Sequence, residues 1–539
     1  MNKDLRHPEP WWHGAVLYQI YVRSWRDTND DGYGDLRGIL ERLDHLSWLG
    51  VDGIWLSPTM PSPDADWGYD VSDYTDVHPE LGTLRDLDDL IAAAADRGMR
   101  VLLDLVPNHT SSEHQWFIEA SSAPDSEHRN YYVWADPAPD GGPPSNWLDS
   151  TGQSAWQWDS RSGQYYLHNY LPEQPDLNWW EPAVHREFRR ILEFWFERGV
   201  AGFRIDVAHG LYKDKLLRDN PPAEDKASLD NRFGVLSVYS ANRPETHAVF
   251  RDWRQLAETY AVSARGDDPP IPPAEPRLLL GETWTGDFGR LAQFYGDNDE
   301  LQLAFNFPFT FAQFTAPALS GVVEQTMAHL PAGACPVWMA SNHDVGRFAT
   351  RWCGNDERKT RLALLVLATL PGTVVLYYGD EIGMADVNVP PDLRRDRMTS
   401  DDPSGGRDRG RTPMQWDASA GAGFTSAQVR PWLPIGDNAA RNVAAQLSEP
   451  DSTLAFCRKL IALRHAEFGN GVPAYEPLRS EPGCWAYQAG DLVVQANFSE
   501  GRQPAHPVDQ FLLASYGETD SETLQPWQGL IGRRSRGDG

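Results

Sequence analysis

The sequence predicts an α/β fold: a (β/α)8 barrel of the TIM type, with a large insertion after strand 3 and a small C-terminal antiparallel β-domain. Three observations predict it. Short apolar runs alternate with longer amphipathic segments about eight times, which implies parallel strands joined by right-handed helical crossovers. One stretch, from about Asn108 to Asn178, breaks that alternation and is rich in Trp, Tyr, Pro, Ser and Asp. Charged residues recur at the C-terminal ends of the apolar runs, where such barrels place their functional groups.

In chain order, Val16–Trp25 reads as a strand, Leu36–Leu49 as a helix and Val51–Ser57 as a strand. Leu84–Arg97 follows as a helix and Arg100–Val106 as the third strand. After the insertion come the helix Pro182–Arg198 and the strand Gly202–Val207. Residues 214–247 are polar and loop-like, Thr246–Tyr260 reads as a helix, and Gly266–Pro276 as a Pro-rich surface loop. Arg277–Thr283, Leu303–Phe309, Val337–Asn342 and Thr373–Tyr378 complete the strands, with Glu357–Thr369 a helix between the last two. Residues 384–430 form a long charged loop, and loops of that length in compact domains are usually functional. Helix Leu454–His465 is expected to close the barrel, and alternating runs such as Cys484–Gln488 and Leu492–Asn497 to build the β-domain. The tail Gly532–Gly539 is expected to be disordered. The domains are therefore 1–107 with 179–465 (the barrel, including the 384–430 loop), 108–178 (inserted) and 466–539 (C-terminal).

Composition narrows the function. The 539 residues are 41% hydrophobic and 23% charged, ordinary for a globular protein. A net charge of -29 argues against nucleic acid, whose phosphates attract cations. No apolar run approaches the roughly 20 residues of a membrane span. The N-terminal MNKDLRHPEPWWHG has no apolar signal core, and the four cysteines form no framework. The expectation is a cytoplasmic enzyme, monomer or homodimer, acting on a small neutral substrate without an organic cofactor. The 22 Trp suit sugar stacking as well as the core.

Arg204 and Asp206 share one face of a buried strand, because alternate side chains point the same way. Buried charges are costly unless paired or used. Alone, they read equally as a structural ion pair or as a carboxylate oriented by a guanidinium. Asp104, with Asn108 and His109 beyond it, Glu282, and His343 with Asp344 occupy equivalent strand ends. Convergent carboxylates are what glycoside hydrolysis requires, one ionised and one protonated. Asp206, beside a cation, suits the ionised role; Glu282, between Gly281 and Trp284, suits the acid.

DLVPNH (104–109), GFRID (202–206), GETW (281–284) and NHD (342–344) resemble the ordered signature regions of glycoside hydrolase family 13, the α-amylase superfamily. QPDLN (174–178), RTPMQW (411–416) and GYDVSDY (68–74) resemble its α-glucosidase and oligo-1,6-glucosidase branch. The resemblance implies a retaining exo-acting α-glucosidase. It makes Asp206 the nucleophile, Glu282 the general acid/base and Asp344 the carboxylate that holds the sugar 2- and 3-hydroxyls. Arg204 supports the nucleophile, His109 and His343 donate to sugar hydroxyls, and Tyr69 stacks on the ring. Asp70 and Arg411 are expected to pair and grip the 4-hydroxyl. Asp104 is as much a structural link as a site residue.

The Asp27–Asp35 stretch, DTNDDGYGD, sets oxygen side chains at alternate positions around a glycine, as calcium loops do, but lacks the final bidentate Glu. By the resemblance it holds a structural Ca2+ or Mg2+ through Asp27, Asn29, Asp31, Asp35 and the Tyr33 carbonyl. In the branch that the chain resembles, Val207 after the nucleophile accompanies α-1,6 action, whereas DVAHG (206–210) is more similar to bacterial α-glucosidases; the reading adopted is α-1,4 with some α-1,6 tolerance. An oligo-1,6-glucosidase, or a glucosyl-transferring enzyme or trehalose synthase, is the alternative. An RLDRD-type isomerase motif is lacking, and a non-catalytic family member is disfavoured because all three carboxylates are present.

Overall fold

The structure is a computed structural model, and it describes residues 10–224, 229–263, 276–398, 406–517 and 522–534. Eight parallel strands form one sheet: β1 Val16–Ile20, β2 Gly53–Leu56, β3 Arg100–Leu105, β4 Gly202–Ile205, β5 Leu278–Gly281, β6 Leu303–Ala304, β7 Val337–Met339 and β8 Thr373–Tyr377. Their order is β6-β5-β4-β3-β2-β1-β8-β7, so hydrogen bonding runs round the barrel to a single seam between β6 and β7. There the Thr310 hydroxyl donates to the Met339 carbonyl across 2.8 Å.

The helices form where capping and periodicity demand them. Asp35 caps helix Leu36–Leu49 by accepting from Gly38 N, and Gly50 ends it in the left-handed conformation, at φ 96°. Thr83 and Asp86 make a capping box for Leu84–Ala95. Pro182, free to occupy the first turn, opens Pro182–Glu197.

Strand alternation builds two cores. Tyr18, Ile54, Leu103, Phe203, Leu279 and Val374 face the helices. Leu17, Trp55, Leu102, Leu278, Leu280 and Val375 fill the barrel interior. Each such fully buried side chain contributes about 1.5–3 kcal/mol. Two residues further along the same interior face, apolar gives way to charge. Leu102 leads to Asp104, Gly202 to Arg204 and Asp206, and Leu280 to Glu282. The period of the strand itself therefore lifts the carboxylates to the C-terminal rim.

Within 108–178 lie a short helix, Gln115–Ala120, and a three-stranded antiparallel sheet of Trp134–Ala135, Gln164–Leu167 and Trp156–Asp159. Trp147, Ala155, Trp156 and Leu167 form its own small core. The C-terminal sheet has five antiparallel strands: Tyr475–Leu478, Cys484–Ala489, Leu492–Asn497, Gly529–Arg533 and Gln510–Ala514, in that spatial order.

Several sequence expectations are corrected. Leu303–Phe309 is strand only at Leu303–Ala304; Asn306 caps a helical turn, Phe307–Phe311, with Pro308 in its first turn. Val16–Trp25 is strand only to Ile20, and a 3-10 turn follows at Val22–Ser24. The polar 214–247 stretch contains a hairpin, Asn231–Arg232 with Val235–Leu236. Helices Phe288–Gln293 and Ala316–His329 were not foreseen. Gly532 and Arg533, expected in a disordered tail, belong to the last strand, where Arg533 pairs with Glu467. Residues 535–539 lie outside the described residues, as does all of the Pro-rich stretch before Pro276.

Candidate active site

The site grows from three adjacent strands in register. Asp104 and Arg204 are partners across β3 and β4. Past the strand ends the ladder continues, with Asp206 N donating to Leu105 O and Glu282 N to Ile205 O, both at 2.8 Å. The backbone thus fixes the acidic pair side by side before any side chain interacts.

Arg204, fully buried, organises them. Its Nη1 donates to Asp104 Oδ1 at 2.9 Å and Asp206 Oδ1 at 2.7 Å. Its Nη2 pairs with Glu282 Oε2 at 2.8 Å. The guanidinium also lies over Trp55 and Tyr69, 5.2 and 5.8 Å from their ring centroids. Asp104 takes further hydrogen bonds from Trp55 Nε1 and the Tyr69 hydroxyl. The Val207 N–H donates to Glu282 Oε2 at 2.9 Å. It reaches that oxygen because Val207 adopts φ 45°, ψ 42°, a left-handed conformation that costs a β-branched residue of order 1–3 kcal/mol. Asp206 Oδ2 and Glu282 Oε1 take no hydrogen bond from the described residues and remain for the cavity.

That cavity holds about 750 Å³ and is lined by Asp66, Tyr69, His109, Asp206, Glu282, Trp284, Asp344, Met398 and Arg407, among others. Asp344 closes the cluster. Its Oδ1 accepts from Arg411 Nη2 at 2.9 Å and Arg407 Nη1 at 3.2 Å, and its Oδ2 lies 3.1 Å from His343 Nε2. Burial works to raise the Asp344 carboxyl, but His343, Arg407 and Arg411 outweigh it and hold it well below the usual range. Burial pushes Asp206 well up, with Glu282, Asp104 and Asp344 adding to the rise and Arg204 opposing it. Burial likewise raises Asp104 to about 6 against the pull of Arg204. Three carboxyl groups share one guanidinium, so their titrations are linked, and burial and like charge favour a proton within the cluster against the pull of Arg204. A proton held there beside an ionised nucleophile is what acid catalysis at a glycosidic oxygen requires.

The other expected residues divide. Tyr69 lines the cavity, and its hydroxyl lies 2.5 Å from His343 Nε2 with the two rings stacked. His343 itself is buried behind Tyr69 and Asp344, with Gln19 Nε2 2.7 Å from its Nδ1, and burial keeps the ring neutral. His109 lines the cavity with its pKa lowered to about 4 by burial; its Nε2 lies 3.0 Å from the Tyr69 carbonyl. Asp70 and Arg411 do not meet. Asp70 accepts from Ser62 Oγ, Ala65 N and Asp66 N, so it staples its own loop. Arg411 is bound to Asp344 and to the His343 carbonyl.

The residues at the place expected of that pair are Asp66 and Arg407, which sequence reasoning missed. Arg407 Nη2 lies 2.5 Å from Asp66 Oδ1 and 2.7 Å from Asp396 Oδ1, while Nη1 reaches Asp344. The signal was present: Asp66 stands three residues before Tyr69, and Arg407, Arg409 and Arg411 alternate through GRDRGR. Choosing among them needed the three-dimensional register. Val207, read as a linkage cue, is buried and packs its Cγ1 near Gly210; its contribution here is its N–H.

The metal-loop residues form successive Asx turns: Asn29 N to Asp27, Asp31 N to Asn29 Oδ1 and Tyr33 N to Asp31. That conformation and its hard oxygens fit a Ca2+ or Mg2+ loop. Asp35 also caps a helix and accepts from Thr28. Among the described residues, carboxylate and imidazole ligand atoms gather within 4.8 Å only at Asp64, His78 and Glu80, where Arg23 already bridges the two acids.

Residues 19–469 match the family model for the α-amylase catalytic domain. The chain belongs to the α-amylase family of glycoside hydrolases. It is 40% identical to a probable alpha-glucosidase of Rhizobium meliloti (strain 1021) over 478 residues, 85% of this chain and 83% of that one. It is 35% identical to an oligo-1,6-glucosidase of Heyndrickxia coagulans, covering 97% and 99% of the two chains. Among solved structures, it resembles an alpha-glucosyl transfer enzyme, XgtA, with TM-score 0.89 and 34% identity, covering 97% of this chain and 100% of that one. The family's barrel geometry therefore accounts for where Asp206, Glu282 and Asp344 converge.

Asp66 and Asp70 should separate by experiment. Asp66→Asn should weaken glucose binding by about tenfold or more, since it breaks a charge-assisted contact at the cavity wall. Asp70→Asn should lower the Tm instead and leave glucose binding within about twofold. Isothermal calorimetry with thermal melts reads both, and equal effects on binding would refute the assignment.

Proposed function

We propose that this protein is a retaining, exo-acting α-glucosidase that releases glucose from the non-reducing end of short α-glucosides such as maltose and malto-oligosaccharides. Isomaltose and sucrose are further candidate substrates. One observation carries the reading. A single guanidinium, Arg204, touches both Asp206 and Glu282, and the cavity above them is walled by Asp66, Arg407 and Asp344. Carboxylates held that close favour the retaining separation of roughly 5–5.5 Å over the inverting gap of roughly 6.5–9.5 Å.

In the proposed mechanism Asp344, held ionised by two guanidiniums, accepts hydroxyl hydrogens of the sugar ring. Glu282 gives its proton to the glycosidic oxygen as Asp206 Oδ2 attacks the anomeric carbon. The C–O bond to the leaving group breaks and a covalent β-glucosyl-Asp206 forms. Water then gives its proton to Glu282 and displaces Asp206, restoring the α configuration. Asp66 and Arg407 bind the far edge of the ring, which blocks longer chains on that side and makes the action exo. A sugar hydroxyl in place of water gives glucosyl transfer, the activity of XgtA, an alpha-glucosyl transfer enzyme to which the chain is similar. α-1,4 linkages with some α-1,6 tolerance remain the proposed preference.

Two accessory readings belong here. The 27–35 loop is proposed to carry a structural Ca2+ or Mg2+, a hard cation that would brace the start of helix Leu36–Leu49 and take no part in the chemistry. A cytoplasmic setting is supported by free thiols at Cys335, Cys353, Cys457 and Cys484. Among the described residues no helix is long and apolar enough to cross a membrane.

Proton NMR of p-nitrophenyl α-glucoside hydrolysis should show α-glucose as the first product, and Asp206→Asn should lower kcat by at least about 10³ with the fold intact. First appearance of the β anomer, or near-normal turnover by the variant, would overturn the mechanism. Elemental analysis of the purified protein should find about one Ca2+ or Mg2+ per chain, falling when Asp27 and Asp31 are both changed to Ala.

A further inference from the structure

The mechanism leaves one feature of the cavity unexplained. The hairpin of Asn231–Arg232 and Val235–Leu236 projects over its mouth, with Phe233 at the tip. Phe233 is 61% exposed, unusual for a large apolar ring, and it sits at φ 53°. Non-glycine residues pay for such backbone strain and cluster at functional sites. An exposed apolar ring beside a cavity is likewise a binding feature rather than a core residue.

The hairpin is anchored, not loose. Trp284 Nε1 donates to Leu229 O at 3.0 Å, and Gly286 N to Asp230 Oδ2 at 3.2 Å. Both tie its base to the segment that follows Glu282. From the other flank, Gly234 O accepts from Ala223 N and Pro221 O accepts from Leu236 N. Its tip reaches the inserted domain at Gly152, where an added Cβ would lie 3.0 Å from Phe233 Cδ1. Only a glycine, here at φ 86°, lets the ring approach so closely. The hairpin therefore spans from the barrel to the inserted domain across the opening.

Its side of the opening is defined by chemistry. Glu282 protonates the leaving oxygen, so the leaving group must lie on the Glu282 side. Trp284 and Leu229 tie the hairpin to that same side. Asp66 and Arg407 close the opposite wall.

Resting on the α-glucosidase reading, we propose that Phe233 is a specificity-determining residue on the leaving-group side. Seated against Gly152, its ring narrows the mouth and restricts the leaving group to short saccharides. The reacting atoms do not touch it, so it discriminates through binding of the sugars beyond the scissile bond. An apolar face of a sugar ring packs on an aromatic face, whereas a longer chain must pass the ring to leave the pocket.

The test compares maltose, maltotetraose and p-nitrophenyl α-glucoside on wild type, Phe233→Ala and Phe233→Tyr. The alanine variant should raise kcat/KM for maltotetraose relative to maltose by at least about fivefold, chiefly through KM. Its kcat on p-nitrophenyl α-glucoside should stay within about twofold, and the tyrosine variant should keep the wild-type ratio. A wild type active on maltose whose ratio is unchanged in Phe233→Ala overturns the proposal alone. A parallel loss on all three substrates with a lowered Tm makes Phe233 structural and also overturns it. A wild type that cleaves none of the three overturns the glucosidase reading together with it.

Discussion

A guanidinium with no exposed surface, set among three carboxyl groups, is the constraint on which the site depends. Arg204 neutralises part of a buried charge that would otherwise be several kcal/mol unfavourable per ion. It also sets geometry. Its planar fork has fixed directions, so Asp104, Asp206 and Glu282 each present one oxygen to it and are oriented by it. The other oxygens of Asp206 and Glu282 are left to the cavity. A lysine could supply the charge and three donors, but only from one nitrogen, not from two held apart in a fixed plane.

The barrel explains why this arrangement forms from so plain a sequence. The interior face of each strand is apolar through most of its length, which secures the fold. One further step of the two-residue period brings Asp104, Asp206 and Glu282 to the rim. Charge is therefore concentrated where the strands end, and the apolar layer below seals it from the other side. Asp344 enters from β7 with its own cations, Arg407 and Arg411, so its carboxyl is held low, while burial and like charges push Asp206 up against the single guanidinium of Arg204. The two carboxyl environments thus differ in affinity for protons because they differ in cations per carboxylate.

Much of this was legible in the sequence because it obeys local rules. The apolar runs of β2 to β5, β7 and β8 and the start of β1 read correctly, as did the helices with clear starts at Asp35, Thr83 and Pro182. The signature stretches gave the catalytic candidates because their residue order follows strand order. The failures were places where local pattern and tertiary context part. LAFNFPF reads as a strand by its apolar content, yet Asn306 and Pro308 start a helical turn. Ala316–His329 has a weak amphipathic pattern and was passed over. The sequence points to Asp70 and Arg411 and not to Asp66 and Arg407, because two short stretches offer several acids and bases, and only folding shows which pair faces the cavity. The Phe233 hairpin lies in a polar stretch with no periodicity, and its meaning comes entirely from Gly152, which is 81 residues earlier in the chain.

If Arg204 sets the ionisation of the acidic pair through its three-way contact, the pH dependence of kcat/KM must differ between wild type and Arg204→Gln. Because the nucleophile must be ionised, activity falls as pH drops through the raised Asp206 value, so the wild-type acid limb should lie above the ordinary Asp value of about 3.9. Losing the guanidinium's charge removes the pull that opposes that rise, so the variant's acid limb should move to still higher pH, with kcat reduced and the circular dichroism spectrum unchanged. An acid limb at the same pH in both proteins would contradict the account.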